Sequence, residues 1–268
     1  MTAATYRPTR RSFLQSLGAV AVSLPAVTLA DDRQPKKTHI LTLSFDDGFR
    51  KSSIRTAEIY EKHGVRACFN IIASAHLPDF KPADEYQAAS PIGEFILWNE
   101  LKARGHEIMP HGYKHANLRA LPHHEATDLI LRSLDVFDKE LKGFDRKKTV
   151  FNFPFNASTP ELDAWLPKHV RAFRAGGGAI NPWPHKGQTK LTTGGAGGKG
   201  TTEENVDRII DGFLAGPSGW CIITLHGLDG EGWKPLRSDY LDRLLARLVR
   251  INTLDIQPAA ATLEKYLG

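Results

Sequence analysis

Runs of β-forming residues alternate with helical patterns along the chain after residue 37, and three of the runs end beside residues that carry chemistry. Residues 39–45 stop at Asp46-Asp47-Gly48, residues 107–109 lead into His111, and the apolar run 220–225 stops at His226. Strands joined through helices form parallel sheets, and in parallel barrels the C-terminal strand edge is where loops converge without disturbing the packed core. The pattern therefore predicts parallel β/α architecture with Asp46, His111 and His226 on one edge.

Further strands are expected at 66–72, 149–153 and 170–175. Helices are expected at 53–62, 98–104, 122–141, 160–166, 203–214 and 238–250. The stretch 74–95 holds Pro78, Pro82 and Pro91 and reads as an irregular insertion. The Gly-rich stretch 176–200 carries too few apolar residues for an element of its own and reads as a long loop. It is not a phosphate loop, because no strong strand precedes Gly194-Gly195-Ala196-Gly197-Gly198-Lys199 and Gly200 follows the lysine in place of Ser or Thr.

At 268 residues, 41% hydrophobic and 24% charged, the chain has material for one substantial core. Residues 1–30 read as a twin-arginine export segment. Thr9-Arg10-Arg11-Ser12-Phe13-Leu14-Gln15 precedes an apolar run over 17–29, and Thr28-Leu29-Ala30 offers small residues for cleavage. That run falls short of the roughly 20 residues a membrane span needs, so no stable span is expected after cleavage. Residues 31–37 read as a polar linker and 38–268 as the catalytic domain. The expected location is the periplasm or the cell exterior. Removing the segment with its three arginines lowers the formal charge from +5 to +2, which argues against a nucleic-acid partner. Cys68 and Cys221 fall in expected strands and read as buried free thiols.

Adjacent carboxylates leaving a strand point in different directions, so Asp47 is assigned to a metal and Asp46 to proton abstraction. Gly48 permits the sharp turn behind them. His111 and His115 are spaced so that one helical turn would put both imidazoles on one face, as a single ion requires. His226 emerges beside Leu225 and the indole of Trp220, where burial and a nearby carboxylate would oppose each other in setting its proton affinity. His123 and His124, at a helix start, read as a surface pair. Trp98, Trp183 and Trp233 are expected either as sugar-stacking platforms or as packing residues.

The order F-D-D-G (45–48), H-x3-H (111–115), F-x-F-P-F (151–155) and a late apolar strand ending Leu225-His226 resembles the polysaccharide deacetylases, the NodB-homology or family 4 carbohydrate esterases, over roughly residues 38–265. The resemblance implies an α/β fold, a distorted (β/α) barrel of about seven strands. It implies Asp46 as general base, Asp47, His111 and His115 as metal ligands, His226 as general acid and the Phe155 backbone N–H at the oxyanion. Many members carry an arginine that orients the catalytic aspartate where Asn152 stands here, and a tyrosine where Phe155 stands.

The resulting expectation is a metal-dependent hydrolase that removes N-acetyl groups from an acetylated glycan, with one divalent ion, zinc first and cobalt or nickel able to replace it. The alternatives are an O-acetyl esterase or other amide hydrolase with the same site, and an inactive carbohydrate-binding homologue.

Overall fold

The computed structural model describes residue 1 and residues 36–82, 85–197 and 199–268. The chain divides into residues 1–34 and 35–268. The stretches read from the sequence as an export segment and a polar linker lie almost wholly outside the described residues. Among the described residues no helix is long and apolar enough to cross a membrane.

The second unit runs β1 (His39–Phe45), α1 (Arg50–Lys62), β2 (Cys68–Ile71), α2 (Glu85–Ala89), α3 (Phe95–Ala103), β3 (Glu107–Pro110), α4 (His123–Glu140), β4 (Val150–Asn152), α5 (Pro160–Trp165), β5 (Ala172–Gly176), β6 (Ile180–Asn181), β7 (Lys190–Gly195), α6 (Thr202–Leu214), β8 (Gly219–Leu225), α7 (Ser238–Leu248), β9 (Leu254–Ile256) and α8 (Ala259–Leu267). The main path of the sheet is β3-β2-β1-β8-β7-β5-β4, parallel throughout. Its two end strands meet without a ladder. The Val150 N–H donates to Met109 Sδ at 3.3 Å and Asn152 Nδ2 to the Pro110 carbonyl at 3.5 Å. The result is a nearly closed seven-stranded barrel, as expected.

Two short strands widen the barrel at the end away from the strand C-termini. β9 pairs with the first half of β1 while β2 pairs with its last residues, and β6 pairs antiparallel with the first half of β8. Strand alternation then sorts the side chains. Leu41, Leu43, Phe45, Phe69, Ile71, Ile223 and Leu225 face outward against α1, α3, α6 and α7. Phe151, Phe153 and Phe173 face α4 and α5. Inside, the lower layer is apolar, built from Ile40, Cys68, Val150, Ala172, Leu191, Trp220 and Ile222 and floored by α8. The upper inward positions are Ser44, Asn70, Asn152, Arg174, Thr193 and Thr224, all buried and polar.

Two expectations need correction. The Gly-rich stretch is not one loop but contains β6 and β7, because β5 and β8 supply ladder partners that compensate for its few apolar side chains. A Cβ at Gly194 would come within 2.9 Å of Ala179 Cβ, so the missing side chain is what lets the two segments meet. Trp220 opens β8 at the barrel floor, where its Nε1 donates to Thr42 Oγ1 at 2.9 Å, instead of standing beside His226. Trp98 is core, packed over Gly48 and Gly93, and Trp183 packs edge to face on Tyr266. Cys68 and Cys221 are buried free thiols.

Trp220→Ala is expected to reduce unfolding free energy by about 3–5 kcal/mol, the range for an aromatic truncated in a core, measured by chemical denaturation. A loss below about 1 kcal/mol, the size of a surface change, would show that Trp220 does not hold the floor.

Candidate active site and metal centre

The β1–β8 ladder runs one residue past the strands. The Asp46 N–H donates to the Leu225 carbonyl at 2.8 Å, which keeps Asp46 inward, next in line after Thr42 and Ser44. Leu225 thus serves through its backbone, its side chain lying in the outer core. Asp47 and Gly48 then turn the chain with φ of 74° and 86°. A Cβ on Gly48 would meet Ile71 Cδ1 at 2.9 Å and Trp98 at 3.0 Å, so the turn excludes larger residues on both counts.

His111 is fixed by its N–H to the Ile71 carbonyl at 2.8 Å. The segment from His111 to His115 is not the helical turn its spacing predicts. Gly112 at φ 76° and His115 at φ 54° fold it back as a bend, and the two rings still converge, 5.1 Å apart. Ser74, just after β2, holds the bend by donating Oγ to the Tyr113 carbonyl at 2.6 Å. Asp47, His115 and Phe155 are three of the six non-glycine residues with positive φ among the described residues, so rare backbone conformations concentrate here.

His111 Nδ1 lies 3.0 Å from the Asn152 carbonyl. Burial lowers its pKa to about 4, against the opposing pull of Asp46, so the ring is neutral at neutral pH. The hydrogen-bond pattern assigns the proton to Nδ1 and leaves the Nε2 lone pair facing the carboxylates, 3.5 Å from Asp47 Oδ1 and 3.6 Å from Asp46 Oδ2. That buried Nε2 has no hydrogen-bond partner. His115 Nε2 lies 3.2 Å from the same Asp47 oxygen, and one donor atom from each of Asp47, His111 and His115 lies within 4.8 Å of the others. One carboxylate, two imidazoles and a carbonyl behind the buried imidazole fit a single divalent ion.

Burial alone would raise the Asp46 carboxyl, but the Arg174 guanidinium and the field of His111 hold it at about 2. Both oxygens are engaged, Oδ1 by Asn70 Nδ2 at 2.7 Å and Oδ2 by Arg174 Nη2 at 2.6 Å. His226 contributes to the field at Asp46 and at His111, and its ring stands edge to face on Trp233, 5.4 Å away. The Phe155 ring, 54% exposed, packs 4.6 Å from the His115 ring.

Asn152, where many family members carry the arginine, is buried and bonded within the barrel. Its amide donates to the Val150 carbonyl at 3.0 Å and to Pro110, closing the β3–β4 seam, while its carbonyl orients His111. Arg174, Asn70 and Ser44 were missed from the sequence. Their signal is a polar residue at an inward position of an otherwise apolar strand, Arg174 within Ala172-Phe173-Arg174-Ala175 and Asn70 within Cys68-Phe69-Asn70-Ile71.

Residues 33–192 match the family model described as polysaccharide deacetylase. The chain belongs to the polysaccharide deacetylase family. Among solved structures it is similar to a putative polysaccharide deacetylase from Mycobacterium smegmatis, at 14% identity and TM-score 0.65, covering 92% of this chain and 93% of that one. It is also similar to a D285S mutant of the peptidoglycan deacetylase PdaC from Bacillus subtilis, at 16% identity and TM-score 0.52 with coverage of 86% and 92%. A third is a mutant, with restored enzymatic activity, of BA3943, a family 4 pseudoenzyme from Bacillus anthracis, at 15% identity and TM-score 0.57 with coverage of 86% and 68%. These likenesses show the fold shared across the deacetylase family. No curated protein sequence matches the chain.

Alanine at Asp47, His111 or His115 is expected to weaken zinc binding by more than the roughly 10–100-fold that loss of a supporting hydrogen bond costs. Titration of the apoprotein against a chromophoric chelator reads this directly. Wild-type affinity in His111→Ala or His115→Ala would remove the assigned ion from this cluster.

Proposed function

We propose that this chain is a metal-dependent hydrolase that removes N-acetyl groups from an amino-sugar polymer or oligosaccharide. The observation that carries the reading is the convergence of Asp47, His111 and His115 on one cluster, with an ionised Asp46 beside it and His226 on the same strand edge. Asp47 and the two Nε2 atoms would hold the ion, zinc first. When bound, a divalent ion there supplies Lewis acidity toward the acetamide carbonyl and toward the attacking water.

The chain's own residues do the rest. Asp46 is ionised at neutral pH and takes the water's proton as it attacks. The Phe155 N–H makes no hydrogen bond to another backbone group among the described residues and is the donor for the developing oxyanion. His226 gives a proton to the departing sugar amine, leaving acetate and a free amine. Phe155, packed on His115, and Trp233, packed on His226, are apolar faces on which a sugar ring stacks. In this reading the twin-arginine segment exports the enzyme, and its substrate is a glycan outside the cytoplasm.

The existence of a pseudoenzyme with this fold makes the identity of the residues decisive. Asp46, Asp47, His111, His115 and His226 are all present here, which favours activity over sugar binding alone.

Acetate release from chitooligosaccharide, peptidoglycan fragments and acetylated xylan, with metal content measured on the same preparation, tests the reading. The N-acetylated glycans are expected to be turned over, and Asp46→Asn to keep its metal while losing on the order of 10²–10⁴ in kcat. Turnover confined to acetylated xylan would make the chain an ester hydrolase. Bound metal with no turnover on any of the three would make it a binding protein.

A further inference from the structure

Arg174 lies on β5 and is only 1% exposed. Its fork reaches across the top of the barrel interior. Nη2 donates to Asp46 Oδ2 at 2.6 Å, and Nη1 donates to Ser44 Oγ at 3.0 Å and to Thr224 Oγ1 at 3.1 Å. One guanidinium therefore ties β1, β5 and β8 together one layer below the metal cluster. Its Nε has no hydrogen-bond partner, so the side chain is buried with one donor unsatisfied.

A buried ion pair is poor evidence of stabilisation, because desolvating both charges offsets most of their attraction and apolar replacements often do as well. The layer beneath this one is apolar and closes the barrel without charges. What the pair achieves is geometric. A lone carboxylate in a polar pocket has two free torsions, whereas Asp46 is gripped on one oxygen by Asn70 and on the other by a charged planar donor with a second branch anchored on two strands.

Asn152 and Arg174 are direct register partners on β4 and β5. The inward position of β4 at this height holds the amide that closes the seam, and the guanidinium stands at the same height one strand over. We infer that Arg174 is the positioning residue for Asp46, taking over from the neighbouring strand the task that Asn152 cannot perform. The exchange divides the work, since Asn152 is left to orient His111 through its carbonyl while Arg174 aims the proton acceptor. This rests on the reading of Asp46 as the residue that takes the water's proton.

The test uses the full metal-loaded chain and three readouts on Arg174→Ala and Arg174→Lys. The lysine variant retains a positive charge beside Asp46 and keeps the proposal open to refutation if the alanine variant does not fold. Both are expected to bind metal at wild-type stoichiometry and to keep KM, while kcat falls on the order of 100-fold, the scale of a misplacement of about 1 Å. Millimolar guanidinium is expected to restore kcat in Arg174→Ala, and urea, uncharged and of similar shape, is not. Wild-type kcat in Arg174→Lys, or equal effects of guanidinium and urea, would overturn the proposal. If the wild-type chain itself releases no acetate, the hydrolase reading fails separately. The crystal structure of Arg174→Lys then decides the positioning claim, which stands if the Asp46 carboxylate has rotated away and falls if it keeps its place.

Discussion

The site depends on the ladder between β1 and β8, which pairs seven consecutive residues from His39↔Gly219 to Phe45↔Leu225 without a bulge. A slip of one residue would turn every side chain of one strand to the opposite face. Held in register, the ladder puts Ser44 opposite Thr224 inside the barrel and Phe45 opposite Leu225 outside it. Asp46 and His226 then leave adjacent strand ends at one height. The outward residues pack against α1, α3, α6 and α7, so the hydrophobic burial that stabilises the sheet also fixes where the chemistry-bearing residues emerge.

From that ladder the interior divides into two layers with different tasks. Below, Trp220, Ile222 and Val150 fill space over α8 and secure the barrel. Above, the inward positions are polar and bonded to one another. Asn70 reaches both Ser44 and Asp46, Thr193 reaches Thr224, and Arg174 joins the two groups. Such a network orders the side chains it contains at the expense of some burial energy. It ends at a rim where Asp47, His115 and Phe155 occupy positive φ. Strain at the rim above a bonded polar layer that leaves one Arg174 donor unpaired is an arrangement expected where geometry matters more than stability.

Much of this was legible in the sequence because the signals were local. Strands ending at Asp46, near His111 and at His226 announced a parallel sheet with a functional edge, and the spacing of acidic and imidazole groups announced a metal. What was not legible depended on partners distant in sequence. β7 exists because β5 and β8 flank it, and its glycines gave no propensity signal. The two imidazoles meet through a bend set by Gly112, although H-x3-H spacing fits a helix equally well. Trp220 precedes His226 by six residues, but an extended strand carries that interval from the floor of the barrel to its mouth. Asn152 drew attention as a missing arginine, and only the register of β4 against β5 shows that Arg174 stands beside it.

The central claim is that Asp47, His111 and His115 grip one ion. The most direct measurement is anomalous diffraction at the zinc edge from crystals of the zinc-loaded chain. A single peak is expected about 2.0–2.2 Å from an Asp47 oxygen and from the Nε2 atoms of both histidines. A peak elsewhere, or none at the cluster with zinc present in the crystal, would contradict the account.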